Sequence, residues 1–352
     1  MRFRLILVVL LLLAGALSLV VFLGRVPQAV TLPFVQSPLP AGALLSAPTP
    51  TPMPFAEMTI PYLRERTYES SLGERRQVSS HASYTAYTTS YLSDGLRVNG
   101  LLTIPAGDQP VSGWPAIVFI HGYIPPAQYR TTEKYVAYVD ALARNGFVVF
   151  KIDLRGHGQS EGEAGGGYYS SDYVIDALNA RAALASSGLV NPAAIGLWGH
   201  SMAGNVSMRA FAAQPDIPAV VIWGGAGYTY TDLQEYRISD TSYRAPSQNT
   251  ERARKRQQLR EIHGEFTTES PFWRQVAVTD YLEGLRGAVQ LLHAANDDVV
   301  SVEYSRNLAR LLDATTVPHE LYEYSSGGHN IESPAFNSAM QRTVEFFKKY
   351  LL

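Results

Sequence analysis

Ala194-Ile195-Gly196-Leu197-Trp198-Gly199-His200-Ser201-Met202-Ala203-Gly204 joins a short apolar run to an amphipathic one and sets a serine among small residues at the joint. Residues 194–198 read as a buried strand. Residues 205–213 have helical spacing, with Val206, Ala210 and Phe211 on one face. A serine on so sharp a turn takes a strained backbone conformation that projects its hydroxyl, and small neighbours let strand and helix approach closely. The G-x-S-x-G pattern is met at Gly199 and Ser201, while Ala203 stands at its last position with Gly204 one residue later. This context makes Ser201 a candidate nucleophile; the alternative is an ordinary strand-to-helix turn with an incidental serine.

Outward from this joint, apolar strands alternate with helices. Strands are expected at 116–120, 147–152, 194–198, 219–223, 289–293 and 320–324, and helices at 131–144, 172–187, after Ser201, at 302–312 and at 333–350. Such alternation predicts an α/β fold, a mostly parallel central sheet with helices on both faces and ligands at the carboxyl ends of the strands. Upstream, residues 82–92 and 96–104 read as an antiparallel hairpin joined by Ser93-Asp94-Gly95. Between 225 and 273 the alternation gives way to a Tyr-rich, charged insertion, helical around 249–262, which would form a small cap above the strand ends. Tyr228, Tyr230, Tyr236, Tyr243, Phe266 and Phe272 either line a substrate pocket there or pack the insertion itself. Arg252, Arg254, Lys255, Arg256 and Arg260 read as a solvated helix face rather than an anion site. Residues 162–167 hold four glycines but lack the lysine of a phosphate loop, and read as a mobile loop.

The chain has 352 residues and a net charge of -2, with no long block of like charge, so a nucleic-acid partner is not expected. The absence of cysteine excludes disulfides, thiolate metal sites and a cysteine nucleophile. There is no H-E-x-x-H or comparable histidine cluster, and neither a metal nor a cofactor is expected. Residues 5–23 are almost continuously apolar and follow Arg2 and Arg4, which predicts an N-terminal signal-anchor over 1–24 with the rest of the chain outside the cytoplasm. Ala14-Gly15-Ala16 resembles a signal-peptidase site, so cleavage and secretion is the alternative. Residues 25–54, with Pro48, Pro50, Pro52 and Pro54, read as an extended tether, and 55–352 as the catalytic domain.

A serine hydroxyl needs a base to take its proton and a carboxylate to orient that base. Of the eight histidines, His329 alone follows a late strand in a small, flexible context, Gly327-Gly328-His329-Asn330. His200 adjoins the serine and is expected to point away from it, while His293 and His319 have plausible structural roles. Asp297 follows the strand that ends at His293 and is the expected orienting acid, with its neighbour Asp298 as the alternative. The chain order is therefore Ser201, Asp297, His329.

On these motifs the chain resembles the α/β-hydrolases, and within them the catalytic domain of the prolyl oligopeptidase family of serine peptidases, over residues 84–352. The resemblance rests on Ile120-His121-Gly122-Tyr123, on Asp153-Leu154-Arg155-Gly156-His157-Gly158-Gln159-Ser160, on the serine turn, on Ser270-Pro271 before the seventh strand, and on the Asp297 and His329 segments. It implies that the backbone N–H groups of Tyr123 and Met202 form an oxyanion hole, although the Tyr123 hydroxyl could instead face the substrate. Ala203, Ala294 and Ser301 depart from the residues usual in that family, and no propeller precedes the domain, so aminopeptidase specificity is not expected to carry over. The resemblance implies a peptide or acyl-peptide substrate. Short acyl esters are the alternative, and a catalytically idle binding domain is the alternative of a different class.

Overall fold

The computed structural model describes residues 53–236, 238–243 and 250–352. The expected signal-anchor and the tether as far as residue 52 lie outside them. Among the described residues no helix is long and apolar enough to cross a membrane.

Helix α1 (Ile60–Glu65) starts at Thr59, whose hydroxyl accepts the Tyr62 N–H. Strands β1 (Arg76–Ser80), β2 (Tyr84–Ser93) and β3 (Leu96–Pro105) form an antiparallel meander. Ser93 pairs with Leu96, so the hairpin turn is Asp94-Gly95 alone, with φ of 53° and 77°. Both central residues of a two-residue hairpin turn of this hand need positive φ, which Asp and Gly tolerate. Then come β4 (Trp114–Ile120), α2 (Val136–Arg144), β5 (Val148–Ile152), α3 (Asp172–Ala185), β6 (Val190–His200), α4 (Ala203–Ala213) and β7 (Ala219–Trp223). The segment expected to form a cap contributes α5 (Tyr230–Glu235), α6 (Glu251–His263) and α7 (Pro271–Val276), and the chain closes with β8 (Ala288–Ala294), α8 (Glu303–Asp313), β9 (His319–Tyr324) and α9 (Phe336–Leu351).

The sheet runs β1-β2-β3-β5-β4-β6-β7-β8-β9, and every pairing from β5 to β9 is parallel. This is the doubly covered α/β architecture expected from the alternation. Along β4, Val118 and Ile120 join one core with Val174, Leu178 and Val206, whereas Ile117 and Phe119 join the other with Leu142, Val344 and Phe347. Side chains alternate across a strand, so apolar residues at every position require helices on both faces. The register sets Ile120 opposite Gly199 and His200 opposite Trp223, which brings the carboxyl ends of the central strands together.

The helix expected from 131 and the loop at 162–167 differ from expectation. Helix α2 begins at Val136 rather than at 131, because the Thr131 hydroxyl donates to Asp153 Oδ2 at 2.6 Å and holds this segment down at the end of β5. Ser270-Pro271, the N-cap and first residue of α7, does precede the seventh expected strand, β8, with that helix between them. The glycines of 162–167 serve close packing: a Cβ on Gly167 would lie 2.5 Å from Met202 Sδ, and the Gly165 N–H donates to the Tyr173 hydroxyl at 2.7 Å.

Candidate active site

Ser201 stands at the tip between β6 and α4 with φ 57°, the left-handed conformation in which a side chain is strained. Its N–H donates to Trp223 O at 2.9 Å, and its carbonyl accepts the N–H groups of Gly204 and Ala226, so the surrounding backbone dictates the strained turn. Gly199 is required here, because a Cβ would lie 2.5 Å from Ser207 Oγ. Ala203 is fully buried at the start of α4, so its methyl is accommodated where a glycine is more usual.

Beyond the strand ends lies a pocket of about 620 Å³ whose wall includes Ser201, His329, Tyr123 and His200. His329 is carried by a short helical turn, Gly328–Asn330, and its Nδ1 donates to Asp297 Oδ2 at 2.8 Å. A neutral imidazole has one N–H, so a proton on Nδ1 leaves Nε2 as an acceptor. Asp297 lies in the turn after β8 with its side chain 1% exposed. Its Oδ1 accepts the N–H groups of Val299 and Val300 at 2.9 Å each, and His293 Nε2 lies 3.2 Å from Oδ2. Burial alone would raise the carboxyl pKa, but the hydrogen bonds from His293, His329 and Val300 outweigh it and hold Asp297 well below the usual carboxylate range. Asp298 is exposed to solvent. The structure thus brings Asp297, and not Asp298, to His329.

The backbone N–H groups of Tyr123 and Met202 donate to no group among the described residues. Two such donors near a serine hydroxyl are of the kind that can hold an oxyanion. The Tyr123 ring also lines the pocket, 5.4 Å from that of Tyr243.

Asp153 accepts from Tyr129 at 2.8 Å and from Thr131, and Arg155 forks onto the fully buried Asp176, so the Asp153-to-Ser160 loop is anchored by its buried side chains at Asp153 and Arg155, while Gly158 and Gln159 are exposed. Among the cap aromatics, Tyr230, Phe266, Phe272 and Trp273 pack on one another, which is the packing alternative for them; Tyr228 is buried in the main core. Arg252 pairs with Asp172 at 2.9 Å and Arg256 lies 4.2 Å over the Tyr169 ring, so these two are engaged within the chain and are not part of a solvated face.

His200 departs from its expected orientation, while His293 has the structural role expected of it. His200 does not point away from the site: it lines the pocket with its ring centroid 4.6 Å from that of His329. His293 supports the acid directly, with Nδ1 2.8 Å from Ser305 Oγ and Nε2 between Val300 O and Asp297. Its place four residues before Asp297 on a buried strand is the signal that could have found it.

A family model described as serine aminopeptidase, S33, matches residues 115–333. An uncharacterized peptidase of Bacillus subtilis strain 168, YtmA, is 26% identical over 267 residues, which is 73% of this chain and 91% of that protein. Acetyl xylan esterase 1 from Thermoanaerobacterium sp. JW/SL YS485 has 17% identity and a TM-score of 0.56, with 82% of this chain and 90% of that one covered. The acylaminoacyl peptidase of Pyrococcus horikoshii has 20% identity and a TM-score of 0.57, with 76% of this chain but only 42% of that one covered. The two solved structures share the fold. With the family match spanning most of the sheet and both segments that flank the pocket, the chain belongs to the S33 serine aminopeptidase family of α/β-hydrolases, serine hydrolases of peptidase or esterase type.

Proposed function

We propose that the protein cleaves peptide or acyl-peptide bonds through an acyl-enzyme formed on Ser201. Ser201 Oγ attacks the carbonyl carbon and His329 Nε2 takes its proton. The tetrahedral oxyanion is held by the N–H groups of Tyr123 and Met202. His329 then returns the proton to the leaving amine, and a water molecule repeats the sequence to release the acid. Asp297 keeps the His329 proton on Nδ1 and stabilises the imidazolium. The observation that carries this reading is the 2.8 Å bond from His329 Nδ1 to the buried Asp297, which leaves Nε2 as the accepting nitrogen of a residue that lines the same pocket as Ser201. Peptide substrates are favoured by the Bacillus relative, described as a peptidase, and by the acylaminoacyl peptidase that shares the fold.

Hydrolysis of short acyl esters is the second reading. It has the support that an acetyl xylan esterase shares the fold over nearly its whole length. An amide leaving group must be protonated as it departs, and that demands closer placement of the substrate than an ester requires. Measuring kcat/KM for ester and amide substrates with a common acyl group separates the two readings. Turnover of aminoacyl amides or peptides is expected; esters consumed while a broad peptide panel stays intact would assign an esterase.

We also propose that residues 5–23 hold the protein to a membrane with the hydrolase outside the cytoplasm. The apolar run unbroken beyond Ala16 and the arginines before it support this.

A further inference from the structure

We propose that Tyr135 and His200 are positioning residues for this hydrolase, tying the amide beside the oxyanion donor of Tyr123 to the backbone of His329 through three hydrogen bonds. The inference rests on the roles given above to Ser201, Tyr123 and His329. The Gly122 N–H donates to the Tyr135 hydroxyl oxygen at 3.0 Å. The Tyr135 hydroxyl stands 2.8 Å from His200 Nδ1, and His200 Nε2 stands 3.0 Å from the carbonyl oxygen of His329.

The proton arrangement in this chain is determined by chemistry. A carbonyl only accepts, so His200 Nε2 carries the proton and donates to His329 O. A neutral imidazole then offers Nδ1 as an acceptor, so the Tyr135 hydroxyl donates to it. That hydroxyl oxygen keeps a lone pair for the Gly122 N–H. Each link therefore requires the next, and every donor points from the Gly122 side toward His329. Burial, reinforced by the neighbouring His329, pushes the His200 pKa down to about 3, which keeps the ring in the neutral form the chain needs.

Two further observations mark the position of Tyr135. It precedes α2 with φ 58°, a left-handed conformation that aromatic residues seldom take and that persists where the surroundings enforce it. Its ring is wedged against Phe119 and Trp198, at centroid separations of 5.4 and 6.0 Å. Removing only the hydroxyl would leave this packing in place while freeing the Gly122 amide and the His200 ring. The consequence belongs to the transition state, where the oxyanion donor and the base must act on the same carbonyl group.

The test uses the whole protein with a matched ester substrate. Tyr135→Phe is expected to lower kcat on the order of 10- to 100-fold with KM changed by less than about threefold, because geometry at the reacting group is lost and substrate binding is not. His200→Gln, whose amide can still reach the His329 carbonyl, is expected to retain more kcat than His200→Asn, whose shorter amide cannot. The double variant Tyr135→Phe/His200→Asn is expected to lose no more than the worse single variant, since both break one chain. Multiplicative losses, an effect confined to KM, or Gln no better than Asn would overturn the proposal. If the His200 variants do not fold, Tyr135→Phe decides alone, and an unchanged kcat would overturn it. Fluorophosphonate labelling of the wild type separates the two possible failures. An unlabelled wild type removes the hydrolase reading itself, whereas a labelled, active wild type matched in kcat by Tyr135→Phe removes only this inference.

Discussion

His329 Nδ1 lies 2.8 Å from Asp297 Oδ2, and the other oxygen of that carboxylate takes two backbone N–H groups from the turn that follows it. The acid is thus fixed from both sides, whereas Asp298 is exposed. In the proposed mechanism Asp297→Asn would permit the wrong histidine tautomer, and kcat is expected to fall on the order of 10⁴-fold with the fold intact. Asp298→Asn is expected to leave kcat/KM nearly unchanged. Steady-state kinetics of the two variants checks this, and the reverse ranking would reassign the acid.

Behind the site, Arg155 and Asp176 form a buried bidentate pair, with side chains 8% and 0% exposed. Asp176→Ala removes the bidentate acceptor but leaves Arg155 facing Asp172 at 3.2 Å and Asp94 at 3.8 Å, so the expected cost of stability is about 2–3 kcal/mol, below that of a fully stranded buried charge. Urea unfolding measures it. The pair lies outside the pocket wall, so KM of the folded fraction should stay at the wild-type value.

Lys151 is fully buried on β5 and donates to Lys134 O at 2.7 Å, with no carboxylate bonded to its ammonium group among the described residues. Burial, partly offset by the charge of Asp153, lowers its pKa to about 8. Between about pH 8 and the unfolded value near 10.4 the unfolded chain binds the extra proton, so this group makes stability rise with pH across that window. Below pH 8 the full cost of the buried charge is present, on the order of 3 kcal/mol. Lys151→Met is therefore expected to raise stability most at pH 7, with its advantage shrinking toward pH 10. Paired denaturant titrations at the two pH values test this, and an advantage that grows with pH would contradict it.

The proposed membrane attachment predicts that the native protein resists carbonate extraction and keeps residues 5–23. A soluble product whose N-terminal sequence begins near Leu17 would show cleavage and secretion instead.

The sheet was legible because β4 to β8 are apolar at nearly every position, a pattern that only a doubly covered parallel sheet satisfies. Ser201 and Asp297 could be singled out for a related reason, since each follows such a strand; His329 follows the half-exposed β9 and was marked instead by its Gly327-Gly328-His329-Asn330 context. Contacts distant in sequence were not legible. Thr131 leaves the expected helix for Asp153, and the glycines near 165 pack against Met202 and Tyr173. The same limit hid Tyr135 and His200, which are 65 residues apart and meet only once β4 and β6 are paired. The edge strand β1 is almost wholly exposed, and so carries no alternation by which to recognise it.

In the proposed reaction Ser201 is a nucleophile activated by His329, and labelling with a fluorophosphonate reads that activation at the serine itself. One label per chain is expected, located on Ser201 by mass spectrometry, with labelling abolished in Ser201→Ala and strongly slowed in His329→Ala. A folded wild-type protein that takes no label, or a label that persists in Ser201→Ala, would contradict it.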